Sequence, residues 1–368
     1  MNLNVSCPIN SVSFGHVSYN ILRELYNRGI SPNIMPISGV DLSSFDRCPE
    51  DFKLWLQSCI NKSLKNYKRE YPGFKLWHIQ NSEAQYSNNQ SLLTFSETDE
   101  ISEYQQNILA NQKSVIVTSS YTKGILENYG LSNVHFTPLG FDSENFRRIE
   151  KRPYDNDTIA IGIFGKFEAK RKHTDQAIKA FLRLYGNNKA YRLHLHTFNP
   201  FLGQNPEQIA ENNKNLVLQC YEGKQYWNVN VVNGHLNTLT EYNKMLNSVD
   251  LVFDCGGNEG FGLPQFHATA MGKHLVTAYS NAVCDWADEE NAVLIQPTAK
   301  EECYDSMFFH KGSPWTQGNF FTFEFDNLVA GLERGVERYK SNPINTAGLE
   351  LQKKFLWKDT VDKIISIL

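Results

Sequence analysis

The feature that most restricts the fold is an alternation of short apolar strands and helices that starts, stops and starts again along one chain. Residues 3–7 read as a strand ended by Pro8. A helical pattern through Ile21, Leu22 and Leu25 then stops at Asn27-Arg28-Gly29, and residues 33–37 form a second strand. This β-loop-α-β order opens a doubly wound sheet. Further strands are expected at 76–79, 92–95, 114–118 and 134–137, with helical stretches between several of them. A polar seam with a proline, residues 149–158, interrupts the pattern, and it restarts with the apolar strand 159–164. A helix at 175–185, a strand at 191–197 and a long irregular stretch over 199–234 follow. Then come a helix at 240–247, a strand at 251–253, Gly256, Gly257, Gly260 and Gly262, a small-residue helix at 264–271 and a strand at 274–278. The last 20 residues have the spacing of an amphipathic helix. Two similar α/β halves joined near residue 155 agree with 368 residues at roughly 150 per domain. In such sheets ligands gather beyond the carboxyl ends of the strands.

Composition removes several classes. Lysine plus arginine is 36 and aspartate plus glutamate is 40, a net charge of −4, so no basic coat covers the surface as in a non-specific nucleic-acid binder. The 7 cysteines are odd in number and scattered without a C-x-x-C pair, which argues against a disulfide framework. The start MNLNVSCPIN lacks the basic and apolar regions of a signal peptide, and no run of 18 apolar residues occurs. A cytoplasmic protein is expected.

The most informative stretch is NEGFGLPQFHATAMGKHLVTA, residues 258–278. A strand ends at Asp254, glycines follow, and Pro264 opens a helix at its first turn. Amides at such a start suit an anion. Glu259 beside them suits hydroxyl groups, and a sugar joined to a diphosphate offers both. The same residues would also serve a plain strand-to-helix turn.

This stretch resembles the signature of glycosyltransferase family 4, retaining nucleotide-sugar transferases of GT-B fold, whose usual form is E-G-F-G-L-P-x-x-E-A-x-A-x-G-x-P-V-V. Glu259 to Pro264 match without interruption, as do Ala268, Ala270, Gly272 and Val276. His267 stands where the family has its second glutamate, which meets the donor ribose, and His274 replaces a proline. On the resemblance, restoring glutamate at 267 would keep or tighten donor binding. Gly165-Lys166, Lys170-Arg171-Lys172, Asp175 and Ala180-Phe181 resemble the family's G-R-x-x-x-K-G-x-D-x-L-I-x-A-F, with one extra residue between the cations. Taken alone, these lysines read as a solvated basic helix start. Thr118-Ser119, Leu139-Gly140-Phe141-Asp142, Glu290 to Ile295 and Phe355-Leu356-Trp357 resemble further family segments in the expected order. The likeness covers nearly the whole chain and is weak over 38–75 and 199–235.

The resemblance implies a fold and a site. The fold is α/β of GT-B type, two Rossmann-like doubly wound domains facing a central cleft, with the C-terminal helix crossing back to the first. The first domain is 1–150 plus 351–368, on the acceptor side, and the second is 158–345 and binds the nucleotide sugar. Lys166, Lys172, Glu259 and His78 are the implied catalytic residues. Gly15, His16, Arg171, Phe261, Gly262, Leu263 and His267 are the implied donor-binding ones. A nucleotide-diphosphate sugar such as a UDP-sugar is the donor substrate, and neither a cofactor nor a metal is expected. Fixed cations can stabilise a departing diphosphate without one.

Asp155-Asn156-Asp157 has the D-x-D form of metal-dependent transferases but lies in the polar seam, where a solvated linker is the better reading. His194 and His196 share a strand face without a third ligand. A glycan or lipid-linked saccharide is the expected acceptor. The opening PINSVSFGHVSYNILREL also resembles phage-borne transferases, which suggests a hydroxymethylated DNA base as an alternative acceptor. His267 motivates a third reading, a nucleotide-sugar-binding protein without catalysis.

Overall fold

The computed structural model describes residues 2–149, 158–166, 170–197, 208, 211, 215, 226–231, 236–304, 308–315 and 317–368. The D-x-D segment 155–157, Cys220 and most of the connection 199–234 lie outside them. The chain divides into two compact units. The first comprises Met1–Asn145, Gly312–Gly318 and Lys354–Leu368, and the second Phe146–Lys311 and Asn319–Lys353.

In the first unit the described elements run β1 (Asn4–Ile9), α1 (Ser13–Asn27), β2 (Asn33–Val40), α2 (Glu50–Asn66), β3 (Gly73–Leu76), β4 (Gln90–Thr94), α3 (Glu103–Ala110), β5 (Ser114–Val117), α4 (Ser120–Asn128) and β6 (Val134–Phe136). Six parallel strands stand in the order β2-β1-β3-β4-β5-β6, so the strand order reverses between β1 and β3. Pro8 does not end the first strand. It lies inside β1 where the register with β2 shifts between Cys7 and Ile9, a place where the ladder needs no N–H. Ser119, which the family places at a strand end, caps α4, its Oγ accepting from Thr122 N–H at 3.2 Å.

In the second unit they run β7 (Ile159–Gly165), α5 (Thr174–Tyr185), β8 (Tyr191–Thr197), β9 (Val229–Val231), α6 (Leu239–Asn247), β10 (Leu251–Asp254), α7 (Leu263–Ala270), β11 (His274–Ala278), β12 (Val293–Ile295), the antiparallel pair β13 (Ala299–Glu302) and β14 (Asn319–Thr322), and α8 (Phe325–Ser341). The six strands of the main sheet are parallel in the order β12-β11-β10-β7-β8-β9, reversing between β7 and β10. Ile161, Ile163, Leu193, Leu195, Leu251 and Phe253 pack with Phe181 of α5 and Leu332 of α8 into one core. Strands covered on both faces read as continuous apolar runs, which is why these were visible in sequence.

The last 20 residues are not one helix. Single turns at Thr346–Leu349 and Leu351–Lys354 precede α9 (Trp357–Ile367). Leu356 is extended, and the Phe355 carbonyl accepts from Phe141 N–H at 2.8 Å. A backbone pairing with Phe141 therefore interrupts the helical periodicity and seats α9 on the first unit.

Candidate functional site

The segments leaving the carboxyl ends of β7 and β10, where the second sheet reverses, carry most of the residues singled out by sequence. β7 ends on Gly165 with φ +111°, a backbone angle that glycine adopts without a Cβ clash. Lys166 follows, half-buried, its Nζ 4.6 Å from the centroid of Phe308. Lys170 is exposed and 3.6 Å from Glu301. Arg171 is buried, and its Nη1 donates to the Asn258 carbonyl at 3.0 Å while its own carbonyl accepts from Gly257 N–H at 2.8 Å. His173 Nε2 lies 3.0 Å from the Phe321 carbonyl, and Phe321 N–H donates to Asn258 Oδ1 at 2.8 Å. The glycine turn after β10 is thus fastened on one side by residues 171–173 and on the other by β14. Arg171 shapes that turn.

Lys172 Nζ forms an ion pair with Glu259 Oε1, and the two side chains are only 13% and 8% exposed. Gly256 lets this pair exist. A Cβ there would lie 2.5 Å from Glu259 Oε1 and 3.3 Å from Asp254 Oδ2, so both carboxyls pack against the space its hydrogen leaves. Burial alone would raise the Glu259 carboxyl, but Lys172, Arg171 and Lys166 outweigh it and hold the group below the usual carboxylate range. Burial, and then the neighbouring Glu259, push Asp254 up to about 6. Asp254 Oδ2 accepts from Gly256 N–H at 3.3 Å. Nothing in the family's motif marks Asp254. The available sign was a carboxylate closing an otherwise apolar strand, Leu251-Val252-Phe253-Asp254.

Gly262, at φ +82°, precedes the first turn of α7, where Pro264 sits. Phe261 is buried against Phe266 at 5.0 Å, and its carbonyl accepts from Trp286 Nε1 at 2.9 Å. Gly262 and Leu263 form the helix start itself. His267 is 1% exposed, its ring stacked on Phe146 at 4.0 Å and 18°.

In the first unit, Gly15, His16 and His78 flank the β1/β3 reversal. Gly15 lies within the first turn of α1 and not in the loop before it. The space where its Cβ would stand is taken by the Asn10 carbonyl, 2.1 Å away, so its missing side chain serves the packing of α1 on the end of β1. His16 is buried, with Nε2 3.3 Å from Asn20 Nδ2 and 3.7 Å from Asp142 Oδ2. Burial lowers its pKa against the opposing pull of Asp142. Asp142 also takes Arg23 Nη1 at 3.2 Å and Asn145 Nδ2 at 2.7 Å, which fastens the end of this unit to α1. His78 is exposed just beyond β3, its ring 4.5 Å from that of Phe14, which meets Phe95 at 4.9 Å. The aromatic neighbours Phe14 and Phe95 were not legible as site residues, since each reads as an ordinary core side chain.

Among the described residues, no group of three or more His, Cys, Asp or Glu side chains could hold a metal ion. No described helix is long and apolar enough to cross a membrane.

No family model and no curated protein matches the chain. Solved structures do. Sucrose-phosphate synthase from Thermosynechococcus elongatus aligns over 100% of this chain and 98% of its own, at 13% identity and TM-score 0.69. The E. coli trehalose-6-phosphate structure bound with UDP-2-fluoro glucose aligns over 100% and 98%, at 12% identity and TM-score 0.68. Anabaena HepE in complex with UDP-glucose aligns over 100% of both chains, at 11% identity and TM-score 0.64. At these identities the likeness shows the fold, which is GT-B.

Proposed function

We propose that the chain transfers a sugar from a nucleotide-diphosphate donor to an acceptor hydroxyl, and that the donor binds where the second sheet reverses. The observation that carries this reading is the Lys172–Glu259 pair, set with Arg171 and Lys166 at the carboxyl ends of β7 and β10. A diphosphate gains negative charge as the glycosidic bond breaks, and lysines held in a partly dry site stabilise that charge most in the transition state. Glu259, kept ionised by its cations, accepts hydrogen bonds from sugar hydroxyls. The N-terminal amides of α7, at Gly262 and Leu263, add a partial positive charge toward the phosphates. His78 holds a sugar hydroxyl, as the family resemblance has it.

The same resemblance supports retention of anomeric configuration, and the cluster of cations supports metal independence. The structures of HepE with UDP-glucose and of the E. coli trehalose-6-phosphate protein with UDP-2-fluoro glucose favour a UDP-sugar as donor. The net charge of −4 favours a glycan over duplex DNA as acceptor. The test is to mix the purified protein with UDP-, GDP- and ADP-sugars and measure free nucleotide. Release with at least one donor, persisting in excess EDTA, is expected. No release and no binding with any donor would overturn the reading, while tight binding without release would favour the non-catalytic one.

A further inference from the structure

The donor site holds a second buried carboxyl that the reading above leaves without a role. Asp254 ends β10, is 7% exposed, and lies with Glu259 on the same side of Gly256. Of the two, Glu259 has the ion pair with Lys172. Asp254 feels the charge of Lys172 without an ion pair of its own among the described residues, and its hydrogen bonds are to neutral groups, Gly256 N–H at 3.3 Å and the side chain of Gln265 on α7. The other charged or titratable groups facing the cluster are few. Lys166 comes from the end of β7, Arg171 and His173 from the segment before α5, and Asp175 of α5 and the Cys255 thiol lie close by.

We infer that donor binding is coupled to proton uptake by this carboxyl pair, with Asp254 as the residue that takes the proton and Glu259 the one that stays ionised. The inference rests on the donor site proposed above. A nucleotide sugar brings two phosphates, each with one fixed charge between pH 5 and 8, so the ligand itself does not titrate there. As Lys172 turns part of its field to the diphosphate, the two carboxylates beside Gly256 lose compensation, and like charges in one buried site cannot both stay ionised at low cost. Glu259 still has Arg171 and Lys166 beside it and keeps part of the field of Lys172, so the proton from solvent goes to Asp254 Oδ. Asp254 already stands near 6 in the free protein, through burial and then through Glu259, so a modest further rise carries it across neutral pH. The neutral Asp254 then positions Glu259 for the sugar without opposing the phosphates.

The test is calorimetric titration of the whole protein with UDP-glucose, and with GDP- and ADP-glucose in parallel, at pH 7 in phosphate and in Tris. Their different ionisation enthalpies report the protons exchanged. Uptake of about half a proton or more per donor is expected, with affinity falling roughly fivefold from pH 6 to 8. Asp254→Asn keeps the shape and an acceptor for Gly256 N–H, and should bind donor with no buffer dependence and a flat pH profile, an effect that a merely structural role would not produce. Wild-type binding without proton uptake, or uptake unchanged in the variant, overturns the inference and leaves the donor site standing. Absence of binding by any donor overturns both.

Discussion

Lys172 and Glu259 stand 87 positions apart in sequence and meet as a buried ion pair at the reversal of the second sheet. Neither strand end alone makes a site. The β7 end supplies cations and the β10 end a carboxylate, and only the order β10-β7 in the sheet brings them together. On the proposed function, a donor diphosphate would draw Lys172 partly away from Glu259. That is an arrangement in which the lysine is already dehydrated and positioned before the substrate arrives.

The lysines should therefore separate by position. Lys172→Ala should lower kcat by about 10²–10³, the usual effect of removing one positioned donor from such a site. Lys166→Ala should cost similarly or somewhat less, and Lys166→Arg should retain much of the activity. Lys170 is exposed beside Glu301, and Lys170→Ala should be nearly silent. Steady-state kinetics with the donor identified from the panel would decide it, since equal small losses from all three would mean a diffuse basic surface.

Gly256→Ala tests the geometry from the other side. The new methyl group would fall 2.5 Å from Glu259 Oε1, and the carboxylate must move. Because the clash is with a side-chain end and not with backbone, the expected result is a loss of donor turnover of at least tenfold with little change in Tm. At Gly257 the same change meets the Phe321 carbonyl at 2.2 Å, so Gly257→Ala should lower Tm clearly.

Much of this was legible in sequence, for physical reasons. The second sheet's strands are covered on both faces and so stand out as apolar runs, and 191–197 and 274–278 fall where they were read. β3 lies three residues earlier than its apolar residues suggest, because its Lys75 is buried inside the sheet, donating to the Asn81 and Ala84 carbonyls at 2.7 and 3.1 Å. A charge in a central strand reads as a loop. α8 escapes the sequence reading although Leu328, Leu332 and Val336 recur every four residues. The break at Leu356 depends on a partner more than 200 residues away, which no local pattern announces. For the same reason the motif shows Glu259 but not Asp254: their proximity arises only when the turn folds back over Gly256.

Asp254 gives stability a pH dependence of known sign. Its folded value, about 6, lies above the 3.8 of an ordinary aspartate, so ionising it costs more in the native state than in the unfolded one. That penalty is absent below the unfolded value and grows as pH rises from about 4 to about 6. Wild type should lose on the order of 2 kcal/mol relative to Asp254→Asn across this window. Urea unfolding of both proteins at pH 4, 5, 6 and 7 measures it, and parallel curves would show that Asp254 titrates normally.

Gly140 carries the prediction most distant from the chemistry. A Cβ there would lie 2.1 Å from Trp357 N and 2.6 Å from the Leu356 carbonyl carbon, both backbone atoms that cannot swing aside. The glycine of the Leu139-Gly140-Phe141-Asp142 segment thus lets the start of α9 cross against it. Gly140→Ala should cost about 3 kcal/mol and lower Tm, with donor KM nearly unchanged in the protein that remains folded.

His267 is where the structure adds a packing cost that the family motif does not show. Restoring its glutamate looked harmless on the motif alone. The histidine ring, however, lies 1% exposed and face to face with Phe146 at 4.0 Å, with Phe266 at 5.8 Å on another side. A carboxylate of similar length would replace the flat ring packed on Phe146 with a charged group in a site nearly closed to solvent, and burying charge costs free energy. His267→Glu should therefore destabilise the second unit by on the order of 3 kcal/mol, most strongly above the pH at which that glutamate ionises. His267→Phe, which keeps a flat ring against Phe146, should fold with a Tm close to wild type. Donor affinity measured on the folded His267→Phe protein then isolates the ribose contact. Unchanged affinity would mean that the ring packs α7 and leaves the ribose to other groups, and a loss of tenfold or more would show a polar contact from an imidazole nitrogen.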